Sequence, residues 1–247
     1  MAHAESYEGG YHHSRRIKIV CALLRRAGVR RVLDLGCGDG WQVGRLIRAG
    51  FEVIGSDISP LRLQRAHAHA RGARGFFVSD LRRPALLASS QECIYLGQVL
   101  EHLPDPEAVL RSLWTLLRPG GVLIFDTPCR DNLVDDLLGV SGFHARYPAD
   151  RDWGLRLDPG HLHFFTMTQI RGILERTGYE ILSSRGAPRL RWNTPRIGNV
   201  LAAHRVLWKV HDLLEWALGC LPRYRRSGAI VVCLARRPVT SPPCGGA

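Results

Sequence analysis

The sequence predicts an α/β domain built on a mainly parallel sheet, and three observations carry that reading. Short apolar runs alternate with helical segments between residues 31 and 126, the pattern of successive βαβ units. The first run ends in a glycine-rich turn, Gly36-Cys37-Gly38-Asp39-Gly40. Carboxylates stand at or near the ends of the first three runs, at Asp34, Asp57 and Asp80. A chain of 247 residues suits one such domain with insertions.

The elements follow in order. A polar stretch rich in Tyr and His precedes a helical pattern at 17–26. Strand 31–36 leads through the glycines into helix 41–49, and strand 52–57 leads into helix 60–71. The second helix is announced by Ser59 as its cap and Pro60 in its first turn. Strand 75–79, helix 84–89, strand 92–97 and helix 106–117 continue the alternation. Pro119-Gly120-Gly121 reads as a helix stop and turn before strand 121–126. After Thr127 the rhythm breaks, and 128–166 shows no period. A helix at 167–178 opens at Thr166 or Thr168 and closes at Gly178. Strands 179–186 and 228–236 bring the sheet to seven, separated by a second irregular stretch at 187–227.

Composition narrows the class. Apolar residues make up 45% of the chain and charged residues 23%, a globular balance. No apolar run reaches the roughly 18 residues of a spanning helix, and the N-terminal stretch lacks the apolar core of a signal peptide. Seven cysteines, an odd number without a CxxC pair, read as buried thiols of a reducing cytosol. The net charge of +12 favours acidic partners. All the basic residues except Lys18 and Lys209 are arginine, which points to a GC-rich genome rather than to a nucleic-acid footprint.

The turn at Gly36, Gly38 and Gly40 lets backbone approach a ligand closely. Trp41-Gln42-Val43 follows, so the lysine and hydroxyl of a nucleoside-triphosphate loop are missing. Asp57, 17 residues after Gly40, is placed to accept both hydroxyls of a ribose. Asp80 is placed to accept from the exocyclic amine of adenine.

At this point the motifs resemble those of class I S-adenosylmethionine-dependent methyltransferases, closest to the branch that methylates small molecules and lipids. Val32-Leu33-Asp34-Leu35-Gly36-Cys37-Gly38-Asp39-Gly40 resembles the first motif, Gly55-Ser56-Asp57-Ile58-Ser59 the second and Phe77-Val78-Ser79-Asp80-Leu81 the third. The run from Leu96 through Glu101-His102 to Glu107 resembles the motif after the fourth strand, and Leu117 to Pro128 the entry to the fifth. The resemblance spans about residues 11–187. It implies a seven-stranded Rossmann-like sheet with an antiparallel last strand and helices on both faces. It also implies S-adenosylmethionine as cofactor. Asp34, Gly36, Cys37, Gly38 and Gly40 would surround its methionine end, Asp57 and Ile58 its ribose, and Asp80 and Leu81 its adenine. Gly97 and Gln98 would lie at the sulfonium, and Tyr11 would close over the methionine portion. The domain plan is then a capping segment at 1–30, a methyltransferase domain at 31–237 with insertions at 128–166 and 187–227, and a disordered tail at 238–247.

Transfer of a methyl to a hydroxyl benefits from a base. His161 and His163, in Gly160-His161-Leu162-His163-Phe164-Phe165-Thr166, share a face if extended and are the first candidates; His102 is the next. His161 and His163 have a competing reading as residues that pin the insertion by hydrogen bonds to backbone, and His102 as one that shapes the pocket or packs at the helix end. The pairs His12-His13, His67/His69 and His161/His163 lack the carboxylate or cysteine spacing of a metal site, and no metal is expected. Within 187–227, an apolar helix at 197–219 with basic flanks reads as a lid, a dimer contact, a peripheral membrane contact or plain core. The favoured function is O-methylation of a small-molecule or lipid-linked metabolite, acidic in character, by a cytoplasmic enzyme. The alternatives are N- or C-methylation, a tRNA methyltransferase, and a cofactor-binding protein without catalysis; nucleic acid is disfavoured because the tryptophans at 192, 208 and 216 form no strand platform.

Overall fold

The computed structural model describes residues 11–129, 162–187 and 230–239, without the side chains of 11–15 and 187. Its elements in chain order are α1 (Tyr11–Arg26), β1 (Arg31–Leu35), α2 (Trp41–Arg48), β2 (Glu52–Asp57), α3 (Pro60–His69), β3 (Gly75–Val78), β4 (Gln91–Gly97), α4 (Pro106–Leu116), β5 (Leu117–Pro128), α5 (Met167–Arg176), β6 (Glu180–Ala187) and β7 (Ile230–Arg236). The strands form one sheet in the order β3-β2-β1-β4-β5-β7-β6. Neighbours from β3 to β5 run parallel, and β7 runs antiparallel to both β5 and β6. This is the seven-stranded arrangement that the sequence motifs imply.

Alternation along the central strands buries both faces of the sheet. Cys93 and Tyr95 of β4 and Val122 and Ile124 of β5 pack with Leu24 of α1 and Leu46 of α2. Ile94, Leu96, Leu123 and Phe125 point the other way, onto Leu110 and Leu113 of α4 and Leu174 of α5. Each such leucine, fully removed from water, contributes about 1.5–3 kcal/mol before ordering costs. Helices start where side chains replace missing backbone partners. Ser59 Oγ accepts from Arg62 N, and Asp105 Oδ1 accepts from Ala108 N. Thr166, not Thr168, caps α5, in a reciprocal box with Gln169.

Three expectations are corrected. Residues 84–89 form no helix: six residues cannot repay helix nucleation, and Leu87, 80% exposed, finds no core face to bury. Strand β5 starts at Leu117 and absorbs Pro119-Gly120-Gly121 as an irregularity in its pairing with β4, where the register steps from Gln91↔Leu117 to Cys93↔Val122. Helix α1 begins six residues earlier than its apolar pattern, at Tyr11. Its polar-looking Arg16 is buried there. The proposed helix 197–219 and nearly all of both insertions lie outside the described residues. Among the described residues, no helix is long and apolar enough to cross a membrane.

Candidate active site

The site forms at the carboxyl ends of β1, β2 and β4, where the glycine turn meets the second strand. Gly36 N and Cys37 N both donate to Ser56 O, at 2.7 and 2.9 Å. Gly38 N donates to Asp57 Oδ2 and Ser59 N to Asp57 Oδ1, both at 2.9 Å. Asp57 is therefore buried and aligned by the loop that it also holds. Lone pairs remain on both its oxygens for further donors.

The three glycines have different tasks. At Gly36, with φ +79°, a Cβ would lie 2.8 Å from Val99 Cγ2. At Gly40, with φ +80°, it would lie 2.8 Å from the Cα of Ala66 in α3, so this glycine lets α2 and α3 pack. Beside Gly38 the nearest atom to such a Cβ is the tip of Arg62, 3.5 Å away. Gly38 thus leaves space a ligand can enter. The Cys37 side chain faces the core, where burial pushes its thiol up. Only its backbone belongs to the site.

A cavity of about 230 Å³ opens beside this loop. Ile58, Leu81, Leu103 and Pro104 give it apolar walls, and Asp57, Asp80, Arg82 and His102 bring polar groups to it. Ile58 is 61% exposed, an apolar side chain offered to a ligand rather than to the core. Asp80 is tightly held by Arg82. Nε donates to Oδ1 and Oδ2 at 2.9 and 3.0 Å, and Nη2 to Oδ2 at 2.6 Å. These hydrogen bonds bring its carboxyl down to about 2. An adenine amine would share this carboxylate with the guanidinium.

Behind the loop lies a buried polar cluster that sequence reasoning largely missed. Asp34 neighbours Gly55 of β2 and Tyr95 of β4 in the sheet. Its Oδ2 is buried without a hydrogen-bond partner. Burial first, then the charge of Asp126, raises its carboxyl to about 8. Asp126 of β5 is fully buried and accepts from Tyr95 Oη at 2.6 Å and from Gln98 Nε2 at 2.8 Å. Arg16 reaches it as an ion pair, Nη1 3.1 Å from Oδ2. Glu101, also fully buried, accepts from Thr127 Oγ1 at 2.9 Å, and burial raises its carboxyl to about 7. The available signal was a charged residue inside an apolar strand, as in Leu123-Ile124-Phe125-Asp126.

The structure distributes the remaining candidates. Gln98 follows β4 with φ +56°, its side chain turned to Asp126. Gly97 lies opposite Asp126 in the ladder. Tyr11 opens α1, and the expectation for its side chain lies outside the described residues, as does His161. His102 ends the short 3-10 turn Leu100–His102 and lines the cavity beside Asp57 and Asp80. His163 is half-buried and stacks on Phe165, with ring centroids 5.4 Å apart. Its Nε2 is buried and lacks a hydrogen-bond partner. The N–H groups of Leu162 and His163 both donate to Glu101 O, at 2.8 and 3.1 Å. Away from the site, His69 donates to Asp39 O and stacks on Trp41, and His67 meets the edge of Phe76. Among the described residues no three His, Cys, Asp or Glu side chains are grouped to hold a metal.

The fold and this cavity define an α/β protein with a pocket at the carboxyl ends of its parallel strands and a buried acid at its glycine loop. A family model for the methyltransferase domain matches residues 11–184, and the chain belongs to that family of S-adenosylmethionine-dependent enzymes. It is similar to the ubiquinone biosynthesis O-methyltransferase of Ralstonia nicotianae, 32% identical over 184 residues that cover 71% of each chain. It is also similar to the protein of that name from Xanthomonas axonopodis pv. citri, 36% identical over 118 residues, 45% of this chain and 48% of the relative. The match thus spans about half the length of that relative. Among solved structures, magnesium protoporphyrin IX methyltransferase from Synechocystis, with bound SAH, aligns at a TM-score of 0.57 with 20% identity, covering 92% of this chain and 84% of that one. The cyclase SpnF aligns at 0.58 with 20% identity, covering 90% and 81%. These two likenesses speak to the fold alone.

The residues fit the family's cofactor. The unpartnered Asp34 Oδ2 offers a buried acceptor for an ammonium, the open side of Gly38 offers room, and Asp57 with the apolar walls offers a nucleoside seat. Asp57→Ala is expected to weaken S-adenosylmethionine binding by about 1–3 kcal/mol, because ribose hydroxyls and Gly38 N would lose a buried acceptor. Calorimetry on the folded variant checks this; an unchanged affinity would place the ribose elsewhere.

Proposed function

We propose that this protein transfers the methyl group of S-adenosylmethionine to a hydroxyl of a small-molecule or lipid-linked metabolite, with His163 as the base. The observation that supports the reading is a cavity with apolar walls beside Asp57 and Asp80, together with a buried imidazole nitrogen, His163 Nε2, that lacks a hydrogen-bond partner. A single residue, Glu101, links the two. Its carbonyl holds the 162–163 backbone, and its neighbour His102 lines the cavity. The relatives named as O-methyltransferases support a hydroxyl acceptor over an amine or carbon one.

S-Adenosylmethionine supplies, when bound, an electrophilic methyl on a sulfonium centre. The chain's own task is alignment and proton removal. Asp57 accepts ribose hydroxyls with the lone pairs that Gly38 and Ser59 leave free. Ile58 and Leu81 exclude water from the nucleoside. Asp34 meets the cofactor's ammonium as a carboxylate, giving up the proton that burial favours. In the Nδ1–H tautomer, the Nε2 lone pair of His163 would take the proton of the acceptor's hydroxyl and free its oxygen for the methyl, which the bound cofactor would supply while its sulfur leaves as the neutral thioether. An acidic acceptor belongs to the same proposal; for 187–227 a lid over the substrate is favoured over a peripheral contact with anionic membrane, and sedimentation with anionic vesicles tests between them.

Incubation with methyl-labelled cofactor and matched sets of phenols, aliphatic alcohols and amines tests the reaction. Label is expected on hydroxyl oxygen. Transfer confined to amines or carbon would overturn the acceptor, and tight cofactor binding without transfer to any acceptor would overturn the enzyme reading.

A further inference from the structure

The Asp126 carboxylate is the point where three separate parts of the chain meet. Arg16 comes from α1, Tyr95 from within β4 and Gln98 from the turn after β4. The backbone carbonyl of Asp126 also accepts from Gln98 N, at 3.0 Å. Gln98 is therefore held twice by one residue, in a left-handed conformation that non-glycine residues rarely adopt. Gly97 belongs to the same arrangement, since a Cβ there would lie 2.7 Å from Tyr95 Oη and block its approach to Asp126.

The residues just after Gln98 connect this arrangement to the site. Val99 packs on Gly36 of the cofactor loop. The 3-10 turn then brings His102 and Leu103 to the cavity wall. Between Val99 and His102, Glu101 O holds the backbone of Leu162 and His163. One short run of chain thus places the loop, the cavity wall and the imidazole relative to each other, and that run starts at the turn that Asp126 fixes.

We propose that Asp126 is a positioning residue for methyl transfer, setting through Gln98 the register between the cofactor cavity and His163 and fastening α1 to the same carboxylate through Arg16. The role in transfer rests on the methyl-transfer reading above; the clamping of the turn does not.

Two variants test it. Gln98→Met removes the side-chain amide and keeps the Arg16–Asp126 pair, so the fold survives. Asp126→Asn removes the charge as well, and if it fails to fold, Gln98→Met decides alone. Amide hydrogen exchange by mass spectrometry reads the clamping without any turnover. Faster exchange in Gln98→Met is expected both across 97–103 and at 162–163, and wild-type exchange in both segments overturns the proposal. Turnover reads the consequence: kcat is expected to fall about tenfold to a hundredfold, with a smaller change in the KM for cofactor. Unchanged kcat alongside a lowered Tm would reduce Asp126 to a structural residue and overturn the positioning role. A wild-type protein that transfers no methyl would sink the functional reading instead, leaving the exchange result to judge the clamp.

Discussion

Asp34→Asn is expected to stabilise the ligand-free protein at alkaline pH while weakening cofactor binding. The carboxyl of Asp34 is raised from 3.8 to about 8, by burial first and then by the nearby charge of Asp126, with Arg16 opposing. A folded-state value above the unfolded one means that the native protein binds the extra proton. Its contribution to stability is fully present below pH about 4 and is lost as pH rises through about 8. The loss is on the order of 5 kcal/mol for a shift of this size. Glu101, raised to about 7, adds a smaller loss of the same sign over a lower window. Asparagine keeps the shape and cannot ionise, so the fall in Tm between pH about 4 and about 8 should flatten. The same change removes the carboxylate that would meet an ammonium, and affinity for S-adenosylmethionine should drop by about 1.5–3 kcal/mol. Thermal melts across pH and calorimetry near pH 8 measure the two effects. Parallel melting curves for variant and wild type would show that Asp34 is already ionised in the empty site.

Replacing His163 by Ala is expected to lower turnover by roughly 10²–10⁴-fold with little change in cofactor affinity. Two features of the structure support this. The buried Nε2 lacks a hydrogen-bond partner, and the backbone N–H groups of Leu162 and His163 hold the segment to Glu101 O. A histidine kept only to pin the segment would have its ring nitrogens engaged, and an orphaned buried polar atom costs stability. Loss of the ring should therefore spare the fold apart from its stacking on Phe165. Single-turnover rates with saturating cofactor provide the measurement. Near-normal rates in His163→Ala would move the base to His161 or His102, or leave the chemistry without a protein base.

Much of the scaffold was legible because its causes are local. The alternation Cys93-Ile94-Tyr95-Leu96 marks a strand buried on two faces, and such patterns repeat from β1 to β5. Ser59-Pro60 and the choice of Thr166 or Thr168 mark helix starts because a cap bonds a residue three places away, as Ser59 does Arg62 and Thr166 does Gln169. The glycine turn and Asp57 were legible for a related reason: the turn needs positive φ at Gly36, Gly38 and Gly40, and the strand end puts Asp57 within reach of Gly38 N. Residues 84–89 misled because local helix propensity says nothing of whether a core face exists to receive the helix.

The sequence by itself determined the order of the strands, the glycine turn after the first strand and the carboxylates at the strand ends, since each depends on neighbours within a few residues. Only the tertiary structure decided that Arg16 is buried against Asp126, that Gly40 serves helix packing while Gly38 meets only the tip of Arg62, that Asp80 is already bonded to Arg82, and that Glu101 O holds the backbone of His163. Most of these join groups far apart in the chain. Their pairing follows from parallel strands delivering their carboxyl ends to one edge of the sheet, where burial makes every polar atom answerable to whichever partner the fold brings near.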